Sequence, residues 1–225
     1  MEILCTNGLK SVMTELVPAI EGESGSKVVL TWGSTVALGK EIAAGARGDI
    51  AILTREAIED LAEQGKAVAG SRIDLARCGI GIAVRKGTRK PDIGSPEALR
   101  RAFLAAKSVA HSRTGQSGIY FPTVLERLGI TEQVKGKLVV PEGGMPIGEV
   151  VASGDAEMGI QQISELMPVD GIDIVGPLPE PLQKITVFSA GVLSTAQDPK
   201  RARAVIELIG TASRPLLASK GLEAP

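Results

Sequence analysis

Side chains able to do chemistry cluster in four short polar stretches. Thr6-Asn7-Gly8 and Gly33-Ser34-Thr35 each close an apolar run, Ser112-Arg113-Thr114-Gly115-Gln116-Ser117-Gly118 follows a third, and Gln161-Gln162 ends a fourth. Hydroxyls, amides and small residues at the join of a strand and a helix suit an anion. The first backbone N–H groups of a helix have no internal partner and lie at the positive end of its dipole. Two hydroxyls beside them, Ser34 and Thr35, make a seat for an oxyanion. The same residues also serve as helix N-caps, so both roles stand open at this point. Arg113 adds a guanidinium, which can grip a carboxylate through two parallel hydrogen bonds, or tie down the carbonyls of its own turn. Lys10 falls in the first turn of a helix, where a cation opposes the dipole; an anion at Asn7–Gly8 would account for it, and a solvated lysine is the alternative. His111 is the only histidine and precedes the Arg113 loop. Its natural chemistry at neutral pH is proton transfer, against a purely structural role. Arg77 either faces a ligand or pairs with Asp74. Glu149 and Glu165 are expected on solvated helix faces.

These residues need strands and helices to hold them, and the apolar pattern supplies both. Val28–Leu30, continued by Thr31-Trp32, reads as a strand. Val36, Leu38, Ile42 and Ala43 follow at helical spacing, Gly45 and Gly48 close the helix, and residues 49–53 read as a buried strand. Before this βαβ unit come a strand over 2–6 and a helix carrying Leu9, Val12, Met13, Leu16 and Val17, which Pro18 and Gly22/Gly25 are expected to stop. After it come a helix over 56–64 and a strand over 79–85. The pattern then restarts, with a helix opened by Ser95-Pro96-Glu97, a strand over 108–111, a helix over 119–128, a strand over 137–140, a helix over 147–153 and a strand over 158–162. A helical turn over 164–167, a strand over 172–175, another over 186–193 and a last helix over 199–209 complete the chain. Alternation of this kind predicts an α/β fold with mainly parallel sheets, whose ligand crevice lies at the carboxyl ends of the strands.

Composition removes several function classes. The 225 residues carry 25 Lys+Arg against 26 Asp+Glu, a net charge of −1, so there is no basic field for nucleic acid. Aromatics are only 2%, which leaves few stacking platforms. No apolar run approaches the ~18–20 residues of a membrane span. No nucleophile elbow, Walker loop, paired-carboxylate motif or metal signature is present, and no cofactor is expected. Cys5 and Cys78 lack a CxxC spacing and histidine neighbours, and read as small core residues. MEILCTNGLK runs straight into a strand without a basic or apolar leader, which predicts a periplasmic protein if a leader was removed and a cytoplasmic one otherwise. The polar loops divide between two halves, separated by the strands near 79–84 and 186–191. This predicts one lobe from residues 1–82 and 190–225, a second from 83–189, two hinge crossings, and a ligand enclosed between the lobes by closure.

The order of these motifs resembles the solute-binding proteins of ABC importers, in particular the periplasmic molybdate-binding proteins. CTNGLKSVMTEL resembles that family's opening strand, polar loop and helix. TWGSTVALGKEIAAGARGDIAIL resembles its strand, Gly-Ser-Ser, helix and G-x-x-D strand signature, with Ser-Thr for Ser-Ser. ASKGLEAP resembles its closing tail. The resemblance implies a two-lobed, hinged α/β fold of the periplasmic-binding-protein type (type II). It implies a monomer that takes a tetrahedral oxyanion through hydroxyls and backbone N–H groups and presents it to an ABC permease. By matching position, Asn7 or Gly8 would stand in the first anion loop, where the family usually has a hydroxyl. Ser34 and Thr35 would stand in the second loop, Thr54 after the third strand, Ser117 and Gly118 in the second lobe, and Gln161 and Gln162 where the family commonly has Val-Tyr. The amides and Arg113 suit a carboxylate better than a fully ionised oxyanion. Aconitate isomerase resembles the same family. An allylic proton shift on a small unsaturated di- or tricarboxylate, with His111 or Lys10 as base, is therefore the alternative function.

Overall fold

The computed structural model describes residues 1–225, Gly143 apart, and divides the chain into two compact units. The first begins with β1 (Glu2–Thr6), α1 (Lys10–Ser24), β2 (Val29–Gly33), α2 (Thr35–Ala43), β3 (Ile50–Thr54), α3 (Arg55–Glu63) and β4 (Ile73–Cys78). The chain then passes at Cys78–Gly79 into the second unit. That unit holds β5 (Ile80–Arg85), α4 (Pro96–Ala105), β6 (Val109–His111), α5 (Gln116–Arg127), α6 (Thr131–Val134), β7 (Leu138–Val139), α7 (Ile147–Ser153), β8 (Met158–Gln162), α8 (Ile163–Leu166) and β9 (Ile172–Pro177). At Ile185–Thr186 the chain returns to the first unit, which β10 (Thr186–Val192) and α9 (Pro199–Ala212) complete.

Each unit has one five-stranded sheet, in the order β2-β1-β3-β10-β4 and β7-β6-β8-β5-β9. The α/β reading with mainly parallel sheets holds. In each sheet four strands run one way, and the opposed one, β10 or β5, is the first strand after a crossing. Burial on both faces explains the continuous apolar runs. In the first unit Leu4, Ala51 and Leu53 pack against Leu38, Ile42, Ile58 and Leu61 of α2 and α3. The alternate residues Ile3, Cys5, Ile50 and Ile52 face the other side, where α1 and α9 lie against each other. In the second unit Leu99, Phe103, Phe121 and Val124 of α4 and α5 cover one face of the sheet, with Met158 and Ile160. Ile147 and Val150 of α7 cover Ala110 on the other.

Local signals misplaced a few elements. Pro18 does not stop the first helix: α1 runs through it, with Leu16 and Ile20 buried on either side, and ends at Gly25 with φ of 62°. Packing of that face outweighs the one lost backbone hydrogen bond. β4 was not foreseen, because its sequence IDLARC mixes charged and apolar residues. Cys5 and Cys78 are buried and form no disulfide, and burial pushes the Cys5 thiol far above its ordinary range. No helix among the described residues is long and apolar enough to cross a membrane.

Candidate functional site

In the first unit β2, β1 and β3 are adjacent and parallel, so Ser34–Thr35, Asn7–Gly8 and Thr54 share one sheet edge. Their roles differ. Ser34 Oγ accepts from the Ala37 N–H at 3.1 Å and caps α2. Capping uses a lone pair and leaves the hydroxyl proton for another acceptor. Thr54 Oγ1 caps α3 in the same way, accepting from the Ala57 N–H at 3.4 Å. Thr35 Oγ1 donates to Thr6 Oγ1 at 3.2 Å, and both side chains are buried. Thr6, the last residue of β1, thus sets a hydroxyl beside Thr35, one residue before Asn7; its place at the strand end was the available signal. Gly8 is buried, and a Cβ there would overlap the Phe188 ring, so its small size serves packing. Asn7 opens a 3-10 turn and is half-buried. Lys10 is exposed, with Nζ 5.9 Å from the Trp32 ring centroid, a cation–π contact that accounts for its position.

Arg77 and Asp74 do not pair. A β-bulge between Asp74 and Ala76 puts both residues on one face of the sheet, opposite Ser189 and Val187, yet each finds another partner. Arg77 pairs with Glu223 at 2.8 Å. Asp74 is held by Arg55 at 2.5 Å, by Arg72, and by the Ser189 hydroxyl at 2.7 Å. Burial alone would raise the Asp74 pKa, but the hydrogen bonds from Ser189, Arg55 and Arg72 hold it below the ordinary carboxylate value.

In the second unit β6 and β8 are adjacent and parallel, with His111 opposite Ile160. This sets the 112–118 loop beside Gln161–Gln162. Ser112 Oγ accepts from the Gly115 N–H at 3.1 Å and closes the turn. α5 starts at Gln116 on an N-cap, Gly115, that has no side chain to offer. Gly118 lies so close to the Ser112 carbonyl that a Cβ would overlap its oxygen. Ser117, 1% exposed in the first turn of α5, has a buried hydroxyl with no partner among the described residues. Arg113 is exposed.

His111 packs on Phe121, ring centroids 5.2 Å apart, and its Nδ1 lies 3.0 Å from the Ser112 carbonyl. A carbonyl only accepts, so Nδ1 carries the proton and Nε2 keeps a lone pair. Burial pushes the imidazole pKa below its ordinary value, against the opposing pull of the Ser112 hydrogen bond, so the ring is neutral at pH 7.

Gln161 and Gln162 are adjacent in a strand and therefore face opposite sides of the sheet. Gln162 shares the α5 face with Ile160 and Met158, while Gln161 shares the α7 face with Gly159. Gln161 Nε2 donates to Glu165 Oε2 at 2.9 Å, and Gln161 Oε1 is buried without a partner among the described residues. Glu165 is not on a solvated face, as its sequence position suggested. It is half-buried, and burial pushes its pKa up to about 7 although the Gln161 hydrogen bond acts to lower it. Glu149 is exposed as expected. Among the described residues no three His, Cys, Asp or Glu side chains group as metal ligands would.

The sequence matches the family model described as bacterial extracellular solute-binding protein over residues 1–223. It is 33% identical over 219 residues to an aconitate isomerase of a Pseudomonas species, covering 94% of this chain and 82% of that protein. It is 27% identical over 204 residues to the molybdate-binding protein ModA of Azotobacter vinelandii, covering 88% and 79%. The solved structure of the Azotobacter vinelandii periplasmic molybdate-binding protein superposes with a TM-score of 0.82 at 19% identity, over 100% of this chain and 99% of that one.

Proposed function

The chain belongs to the family of bacterial extracellular solute-binding proteins, and from that premise we propose that it is a receptor for a small anion, working outside the cytoplasm as a monomer that delivers its ligand to an ABC-type permease. In the second unit the contacting groups are the Ser117 hydroxyl, the N–H groups that open α5, Arg113 and the Gln161–Gln162 amides. In the first they are the Ser34 proton, Thr35 with Thr6, and the backbone at Asn7–Gly8. The observation that carries this reading is the buried Ser117 hydroxyl at a helix N-terminus, without a partner among the described residues. An unsatisfied buried hydroxyl costs about 1–3 kcal/mol, which a bound anion accepting its proton would remove.

A thermal-shift screen against molybdate, tungstate, sulfate, phosphate and a set of di- and tricarboxylates tests it. A ligand at a hundredfold excess over Kd stabilises the native state by about 2.7 kcal/mol, several degrees in Tm. Ser117→Ala should lower affinity at least tenfold while leaving the free protein as stable as before or more so. A variant that binds as tightly as the parent would remove the central observation.

A second reading, isomerisation of an unsaturated tricarboxylate, is favoured by the 33% identity to aconitate isomerase and by the neutral His111 with its Nε2 lone pair. Its mark would be solvent deuterium entering aconitate in D2O, lost in His111→Ala. An unchanged proton spectrum with the parent protein rules this out.

A further inference from the structure

The buried Gln161 amide is paired with the half-buried Glu165, a pairing that a simple oxyanion seat does not need. We infer that Glu165 is a positioning residue that turns the Gln161 amide so its carbonyl oxygen is the end offered to the ligand, and that the anion bound here bears a hydroxyl. This rests on the small-anion reading and names the ligand class within it. The pair spans the end of β8 and the start of α8, at the same sheet edge as the His111 loop. An ionised carboxylate only accepts hydrogen bonds, so Glu165 must take the Nε2 end of the amide, as it does at 2.9 Å. The amide's other end, Oε1, is then a buried acceptor with no donor among the described residues. Gln161 itself is 5% exposed. A second acceptor, such as a fully deprotonated oxyanion oxygen, is repelled there. A hydroxyl satisfies it. Selectivity of this kind is large because the wrong ligand leaves the buried group unpaired.

The arrangement is set by one proton. With Glu165 protonated, its O–H can donate to Oε1, the amide turns over, and N–H is offered instead. Charged and titratable groups on the elements packed against β8 and α8 are Arg85 of β5, His111 of β6, Glu149 of α7, and Tyr120, Glu126 and Arg127 of α5. Arg85 lies beyond Val84, which pairs with Met158 at the far end of β8. Glu149 is exposed, and His111 and α5 lie on the other face of the sheet. Burial and Gln161 itself are the influences on Glu165.

Two measurements on the full chain decide the matter. In the ligand-free protein, the 15N side-chain resonance of Gln161, identified by its loss in Gln161→Leu, should move between about pH 5.5 and 8.5, and stay still in Glu165→Gln. By calorimetry, L-malate should be preferred over succinate, and citrate over tricarballylate, at least tenfold at pH 8.5. That preference should shrink severalfold at pH 6 and lose its pH dependence in Glu165→Gln. A Gln161 resonance indifferent to pH, or a preference equal at both pH values in parent and variant, overturns the role of Glu165 while the receptor reading stands. If none of the four carboxylates binds but molybdate or sulfate does, the hydroxyl assignment is overturned. If no anion binds, the receptor reading itself fails and the inference falls with it.

Discussion

Glu165 illustrates how one half-buried side chain links stability to pH. Its folded pKa of about 7 stands above the ordinary 4.5, so the native state holds its proton more tightly than the unfolded chain does. Stability from this group is fully present below pH 4.5 and is lost as pH rises through about 7. At about 1.4 kcal/mol for each pH unit between 4.5 and about 7, the loss is roughly 3–4 kcal/mol. Glu165→Gln has no such dependence. Urea unfolding of both proteins at several pH values should show the variant gaining on the parent from about pH 4.5 to 7 and keeping a constant lead above that. Equal pH profiles would mean that Glu165 is hydrated in solution. Residue identity alone marked Ser34, Thr35 and Ser117 as candidates, because small hydroxyl residues at a βα junction have few roles. It could not separate a cap from a ligand contact, since both use the same oxygen.

The helices that carry these groups are placed by glycines as much as by apolar faces. α5 reaches its position because Gly118 fits against the Ser112 carbonyl, in the turn closed by the Ser112–Gly115 hydrogen bond. Gly118→Ala must push the helix start away or break that turn. Overpacking of this kind costs about 1–3 kcal/mol, and anion affinity should fall with it. Gly22 in α1 is the control. A Cβ there meets open space, so Gly22→Ala should stabilise by about 0.5–1 kcal/mol. Chemical denaturation of the two variants should give opposite signs. Both glycines look alike in sequence. Only the carbonyl across the turn distinguishes them. At this scale the pattern of apolar residues made most strands and helices legible. It failed at Pro18, where packing overrode a local stop signal, and at β4, where Asp74 and Arg77 interrupt the apolar run.

The two units differ in how the chain builds them. The second is continuous, residues 79–185, and contains both the sheet and the helices that cover it. The first is assembled from two segments, and its strand β10 sits between β3 and β4. Residues 79–185 expressed alone should therefore unfold cooperatively on heating. Residues 1–78 alone lack β10 and α9, leaving β4 without a partner and the faces under α9 uncovered, and should not. Failure of the 79–185 fragment to fold would show that its core depends on the rest of the chain.

The sequence by itself determined the alternation of strands and helices, the α/β class, and the four polar loops suited to an anion. These follow from apolar periodicity, helix capping and turn residues, which act over a few neighbouring positions. It also carried the family resemblance, through the spacing around Gly33-Ser34-Thr35. Tertiary structure alone decided which polar groups are already engaged. Thr35 meets Thr6 across 29 residues, Arg55 meets Asp74 across 19, and Arg77 finds Glu223 across 146. Gln161 and Glu165 are only four residues apart, yet even there burial set by the fold turned an ordinary glutamate into a group titrating near neutrality. Hydrogen-bond partners and desolvation depend on which strands lie side by side and which face each residue takes, and no local pattern encodes that.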